Sequence, residues 1–141
     1  MPSKKSLKIK SLLICDDIRE EKSGKEILIG VYRTDIVFRH LPTALPKLCF
    51  RIELEVAGSI TGSVSFWIKS PSGEHLGRVE QELADPISPS EVSHVFAFHL
   101  NNLKLESAGR YEVVLGVGSK PKSIGYFRAQ IGDEKDLLAA S

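Results

Sequence analysis

Three residues in the last third of the chain, Leu105, Gly109 and Tyr111, have the spacing of a tyrosine corner. In this turn, a tyrosine at the start of a central strand donates a hydrogen bond from its hydroxyl to backbone a few residues upstream. We expect Leu105 to lie buried under the turn, Gly109 to adopt a positive φ, and the ring of Tyr111 to enter the core. The alternative is an ordinary loop before an ordinary strand. The β-branched segment after Tyr111 favours the corner.

Apolar and polar residues alternate most clearly over residues 48–56, as expected for a strand with one buried and one wet face. Weaker patterns of this kind predict further strands over residues 8–15, 26–31, 64–68, 74–83, 94–100, 111–117 and 123–131. In the first strand, Ile9, Leu13 and Cys15 fall on one face. Residues 16–25 are interpreted as a charged connection that ends in a glycine turn, and Pro42 and Pro46 as the limits of a loop.

About eight short strands, separated by Gly and Pro turns and without a long helical period, predict an all-β fold. Because the corner is typical of immunoglobulin-like domains, we expect an antiparallel β-sandwich that is immunoglobulin-like or related. A length of 141 residues predicts a single domain over residues 1–141. We expect residues 1–7 and 132–141 to be flexible ends.

Charge and composition exclude several classes of protein. Lys and Arg number 19 against 18 Asp and Glu, and this balance argues against a dedicated nucleic-acid binder. After the basic start, only residues 12–15 form an apolar run, which is too short for a signal peptide or a membrane span. We therefore expect a cytoplasmic protein that does not associate with membranes. Two cysteines, Cys15 and Cys49, are too few for a disulfide framework and are interpreted as small, buried, free thiols.

The acidic run Asp16, Asp17, Glu20 and Glu21 is the most suggestive cluster, since paired carboxylates hold Ca²⁺ or act as acid and base. However, interspersed Arg and Lys residues neutralise most of its charge, and the order of a calcium loop is missing. A solvated turn is the favoured interpretation. Residues 116–120 resemble a phosphate loop, but the third glycine and the following helix are absent, so a hairpin turn is expected.

The histidines show no site. His94 and His99 are an odd number of residues apart, so on one regular strand they face opposite sides. No Cys or His stands at zinc-site spacing, and no nucleophile elbow is present. We assign no catalytic, cofactor-binding or metal-ligating residue and expect no cofactor. Trp67, opposite the apolar face of its strand, either packs under a second layer or marks an exposed contact patch, and packing is favoured.

Several motifs together resemble a family of small bacterial proteins that is catalogued only as a domain of unknown function. The resemblance covers about residues 12–131. It rests on Cys-Asp-Asp-Ile-Arg-Glu-Glu at 15–21, Gly-Lys at 24–25, Ile-Gly-Val-Tyr at 29–32, Leu-Pro-Lys-Leu at 45–48, and the Gly109 and Tyr111 pair. It implies a soluble bacterial protein with no assigned activity, so it supplies no catalytic residues. The first motif is also consistent with a local ion-pair network around Arg19.

The leading functional hypothesis is a non-catalytic binding module that uses its inter-strand loops to contact a protein partner. The candidate contact residues are Asp16, Asp17, Arg19 and Glu20 in the first loop, and Lys120 and Lys122 in the last. Whether the two loops share one end depends on strand topology. One alternative is an assembly protein that forms homo-oligomers through sheet edges. The other is a metal-binding protein or an enzyme at the acidic run.

Overall fold

A computed structural model describes residues 6–89 and 93–132, and these residues form an all-β sandwich of nine strands. The strands are β1 (Ser6–Glu20), β2 (Glu26–Tyr32), β3 (Asp35–Phe38), β4 (Thr43–Ala57), β5 (Ser63–Lys69), β6 (His75–Glu82), β7 (His94–Leu105), β8 (Gly109–Val117) and β9 (Lys122–Ile131). Most of the two ends that we expect to be flexible lies outside the described residues. No helix within the described ranges could cross a membrane.

The strands form two sheets that pack face to face. The first sheet has the order β2-β1-β4-β7 and is antiparallel throughout. The second has the order β3-β9-β8-β5-β6, in which only the β3–β9 pair is parallel. The prediction of an all-β sandwich is therefore confirmed.

The core lies between the sheets and is lined by the alternate residues of each strand. In β4, Leu48, Phe50, Ile52 and Leu54 are fully buried, as their alternation predicts. The ring of Phe50 packs against that of Phe66 in the second sheet, with 5.3 Å between ring centroids. Aromatic pairs at this separation add to the stabilisation from burial.

The ninth strand appears because residues 35–38 do not continue β2. After Tyr32 the chain leaves the first sheet, and β3 pairs in parallel with β9 in the second. Ile36 in this short strand is buried in the core. The prediction of about eight strands did not include this strand, which is only four residues long.

Two local predictions in the first sheet are wrong. A register shift between Ile9 and Ser11 reverses the alternation, so Ile14 faces the core while Cys15 lies on the outer face. Pro46 lies inside β4 rather than at the limit of a loop. Because β1 pairs with β4 only from Cys49 onward, the missing amide of Pro46 removes no bond between these strands.

The turn before β8 has the geometry of a tyrosine corner. The hydroxyl of Tyr111 donates a hydrogen bond to the carbonyl oxygen of Ser107 at 2.6 Å, and its ring is buried. Leu105 is fully buried beneath the turn. Gly109 has a φ of 139°, and a side chain there would meet Pro71. The corner therefore fixes where β8 enters the sheet.

Trp67 lies half-buried on the outer face of the second sheet, covered by side chains from β6. Its ring stacks on His75 with 4.6 Å between centroids, and the guanidinium of Arg78 lies 5.2 Å from the ring centre. Its indole Nε1 is buried without a hydrogen-bond partner among the described residues. This environment corresponds to the packing alternative.

Candidate functional site

The second half of β1 leaves the plane of its sheet and carries the β1–β2 hairpin over the outer face of β4. The pairing of β1 with β4 ends at Cys15 and Cys49, whereas its pairing with β2 continues to Glu20. From β4, Arg51 reaches the hairpin and donates two hydrogen bonds of 3.1 Å to the carboxylate of Glu26. The hairpin therefore covers Cys49, which is fully buried although it belongs to the outward-facing row of β4.

A cavity of about 300 Å³ lies between this hairpin and β7. Its lining comes from the hairpin on one side and from the outer face of β7 on the other: Ile18, Arg19, Glu20, Gly24, Glu26, Val95, Ala97 and His99. Polar and apolar groups both line the cavity, so it can accept the polar groups of a ligand as well as its aliphatic carbon atoms.

Asp17 is the electrostatic centre of the hairpin. Its carboxylate accepts hydrogen bonds from the ammonium of Lys47 at 2.6 Å, the guanidinium of Arg19 at 3.0 Å and the amide of Ile18 at 2.9 Å. The bonds from Lys47 and Arg19 lower the pKa of Asp17 from 3.8 to about 2. The bond to Asp17 in turn raises the pKa of Lys47. This is the local ion-pair network that the sequence suggested around Arg19, with Lys47 added.

Asp16 points to the other side of β1, where it meets β2. Its carboxylate accepts a 2.5 Å hydrogen bond from the hydroxyl of Tyr32. Burial of Tyr32, and then this hydrogen bond, raise the pKa of its phenol. Gly30 adopts a φ of +67°, and a Cβ at this position would collide with the Asp16 carboxylate. The acidic side chain of Asp16 therefore lies against the backbone of Gly30.

The two thiols lie side by side on the outer face of the first sheet. Cys15 and Cys49 are directly opposite each other on β1 and β4, and both are free. Burial, and next the neighbouring Cys49, raise the pKa of Cys15 to about 11, while burial raises that of Cys49. Both groups are therefore neutral thiols at neutral pH, and neither is poised as a nucleophile.

His99 on β7 completes a cluster that sequence reasoning missed. It is opposite Cys49 in the strand register, and its Nδ1 lies 3.3 Å from the Cys49 sulfur. One ligand atom from each of Asp17, Cys49 and His99 lies within 4.8 Å of the other two. The three residues come from three different strands. The available signal was that Cys49 and His99 both stand on the polar side of an alternating strand.

The structure divides the predicted contact residues between two ends of the sandwich. Asp16, Asp17, Arg19 and Glu20 lie within β1, so the prediction that they belong to a loop is wrong. Only residues 21–25 form the turn. Lys120 is exposed in the turn before β9, and Lys122 lies at the start of that strand. Lys122 lines a second cavity together with Leu7 and Ile9, at the opposite end of β1.

Apolar side chains are also exposed on β2. Ile27, Ile29 and Val31 are 42%, 40% and 50% exposed, and the period of two in a strand places them on one face. This strand lies at the edge of its sheet and pairs only with β1 among the described residues. The sequence predicted a strand over residues 26–31, and the structure shows that this row of side chains is open to solvent.

Comparisons with known proteins give no activity. A family model matches residues 10–128, and it describes a family of unknown function, which confirms the resemblance drawn from the sequence. No curated protein matches the chain.

Among solved structures, the C-terminal domain of Wzt is 12% identical, with a TM-score of 0.48 over 94% of this chain and 79% of that one. A β-glucosidase from Listeria innocua, in complex with isofagomine, is 10% identical, with a TM-score of 0.45 over 93% of this chain. The match spans only 16% of the glucosidase. Likeness at this level does not carry the activity of either protein over to this chain.

Proposed function

The chain belongs to DUF6941, a family of unknown function, and we propose that it is a non-catalytic protein-binding module whose binding surface is the β1–β2 hairpin. The observation that carries the proposal is the exposed apolar row Ile27, Ile29 and Val31 on an edge strand. Large side chains left in contact with water along an edge are characteristic of a surface that another chain covers.

The edge of β2 lacks the usual protection against pairing. Edge strands are commonly blunted by Lys, Pro or inward-pointing charges. From Ile27 to Tyr32, the strand contains no charged residue and no proline. Its backbone groups on the free side are thus available to hydrogen-bond an incoming strand.

The proposed occupant is an extended segment of another protein that adds a strand to this edge. In such complexes, backbone hydrogen bonds supply affinity, and alternate side chains supply specificity. A partner strand that complements the apolar row on β2 would carry apolar residues at every second position. Asp16, Arg19 and Glu20 are exposed on the neighbouring strand and would form a polar rim. Asp17 is engaged by Lys47 and serves the hairpin rather than the partner.

Affinity capture from a lysate of the protein's own host tests the proposal, with the wild type compared against Ile29→Lys. A charge in the middle of the apolar row is expected to abolish capture of the partner. Ile131→Lys is the matched control, because Ile131 is 60% exposed on β9, in the other sheet. Equal capture by all three proteins, with all three folded by circular dichroism, would contradict the proposal.

A second copy of the chain is the other candidate occupant, since the same unprotected edge can pair with itself. Two β2 strands placed side by side would join the four-stranded sheets of two molecules into one. Light scattering coupled to size exclusion distinguishes the two functions. A discrete dimer that Ile29→Lys converts to monomer would favour assembly, whereas a monomeric wild type favours a separate partner.

A further inference from the structure

Three side chains of different chemistry converge under the β1–β2 hairpin. The carboxylate of Asp17, the sulfur of Cys49 and the Nδ1 of His99 each lie within 4.8 Å of the other two. Cys49 and His99 stand on the neighbouring strands β4 and β7, and Asp17 stands on the part of β1 that continues into the hairpin. This cluster is separate from the apolar row on β2, and its role does not depend on the proposed function.

We propose that Asp17, Cys49 and His99 form a binding site for a zinc ion. Sulfur, imidazole nitrogen and carboxylate oxygen are the three ligand types that Zn²⁺ takes from proteins. Ca²⁺ and Mg²⁺ are disfavoured, because these hard cations select oxygen ligands. The mixture of ligands, rather than their charge, is what points to zinc.

The distances suit a tetrahedral ion with little rearrangement. Bonds of about 2.0–2.3 Å in tetrahedral geometry place neighbouring ligand atoms about 3.3–3.8 Å apart. The sulfur of Cys49 and the Nδ1 of His99 are already 3.3 Å apart. Asp17 needs to move by up to about 1.5 Å to complete the set, a shift within the reach of side-chain rotation.

Two groups must change when the ion binds. Cys49 is a thiol, so the zinc–sulfur bond replaces the S–H bond and the proton leaves to solvent. The ammonium of Lys47 now contacts Asp17 at 2.6 Å and competes with the ion for the same carboxylate. Cys15 is not included, because its sulfur does not belong to the group of ligand atoms that lie within 4.8 Å of one another.

We expect the open position of the ion on the side of His99, which is the one of the three ligands that borders the cavity between the hairpin and β7. His99 lines this cavity of about 300 Å³ together with Arg19 and Glu20. A water molecule or a small anionic ligand can reach the ion from there. Three protein ligands and one open position are typical of zinc sites that bind or activate a further ligand.

Titration of the purified chain with Co²⁺ tests the site, because tetrahedral cobalt bound to a thiolate gives both visible d–d absorption and a near-ultraviolet charge-transfer band. We expect one equivalent of Co²⁺ to produce both signals and Zn²⁺ to displace it. His99→Asn and Cys49→Ala should each weaken binding at least tenfold and remove the tetrahedral spectrum. Lys47→Met should strengthen binding, because the competing ammonium is gone.

Matched variants keep the test specific. Cys15→Ala removes the neighbouring buried thiol, and His40→Asn removes an exposed imidazole outside the cluster. Both should bind Co²⁺ as the wild type does. His99 is exposed, so His99→Asn should remain folded even if Cys49→Ala does not. Absence of the charge-transfer band in the wild type, an unchanged titration of His99→Asn, or loss of binding in a folded Cys15→Ala protein would each overturn the assignment.

Discussion

The sulfur of Cys49 lies 3.3 Å from the Nδ1 of His99, although the two residues are 50 positions apart in the chain. They meet because β4 and β7 are neighbours in the first sheet and because these two residues are opposite each other in register. The β1–β2 hairpin covers Cys49 and buries its thiol, while His99 stays exposed. The same hairpin presents the apolar row of β2 to solvent, so this one hairpin both brings Asp17 to Cys49 and His99 and leaves an open sheet edge.

The ion pair between Arg51 and Glu26 is one of those that tie the hairpin to β4, and breaking it should expose Cys49 more often. We expect Glu26→Gln to raise the rate at which a thiol reagent modifies Cys49 severalfold, because the tip of the hairpin opens more often. The cost in free energy of unfolding should be only about 0.5–1 kcal/mol, as for a partly exposed ion pair. Modification is measured by mass spectrometry of the Cys49 peptide.

Glu106→Gln is the control for this experiment, since Glu106 forms an ion pair with Lys104 outside the hairpin. Its modification rate should equal that of the wild type. Equal rates for both variants would show that the hairpin does not protect the thiol.

The network around Asp17 should make stability depend on pH in the acid range. Its pKa is about 2 in the folded chain and 3.8 as the unperturbed value, so the folded state binds this proton less readily. The stabilisation is therefore fully present above about pH 5 and is lost as the pH falls through 3.8 towards 2. We expect Asp17→Asn to lower Tm at pH 7, and the gap to the wild type to narrow progressively below pH 4.

Thermal melts between pH 2 and pH 7 measure this gap, with Asp85→Asn as a control at an exposed carboxylate outside the hairpin. The gap between the wild type and this control should stay small across the range. A gap for Asp17→Asn that is constant with pH would mean that the carboxylate acts through packing alone.

Gly30 should tolerate a side chain poorly, for two separate reasons. Its φ of +67° strains any other residue, and a Cβ would collide with the carboxylate of Asp16. We expect Gly30→Ala to lower the free energy of unfolding by about 2–3 kcal/mol, measured by urea denaturation. Gly24→Ala separates the two reasons, because Gly24 has a φ of +88° with no atom near its Cβ. Backbone strain alone predicts that Gly24→Ala lowers the free energy of unfolding by about 1–2 kcal/mol. Equal losses at both positions would argue against the collision.

The tyrosine corner makes a single hydrogen bond that can be removed cleanly. Tyr111→Phe keeps the buried ring and deletes the bond to the Ser107 carbonyl, so we expect a loss of about 1 kcal/mol in the free energy of unfolding. Tyr126→Phe is the matched control, since Tyr126 is 38% exposed on the neighbouring strand. Tyr126→Phe should change the free energy of unfolding by less than about 0.5 kcal/mol. A silent Tyr111→Phe would mean that ring packing alone holds the corner.

Most of the fold follows from patterns that span fewer than ten residues. The alternation in β4 identifies its buried face, because successive side chains of any strand point to opposite sides. The spacing of Leu105, Gly109 and Tyr111 indicates the corner, because each residue has a local steric or hydrogen-bonding role. The alternation in β1 misleads where a register shift at Ile9 interrupts it. Strand β3 is also missed, because its four residues are too few to show a clear alternation.

The candidate site depends on information of a different kind. From the sequence, Cys49 and His99 are single residues on the wet faces of two strands, and Asp17 belongs to a run of charges. Which strands become neighbours, in what register, and which hairpin folds over which face are set by the burial of side chains far apart in the chain. The sequence by itself thus determined the strands and the class of fold through local periodicity. Only the tertiary structure decided which polar side chains meet, because that depends on long-range packing between strands.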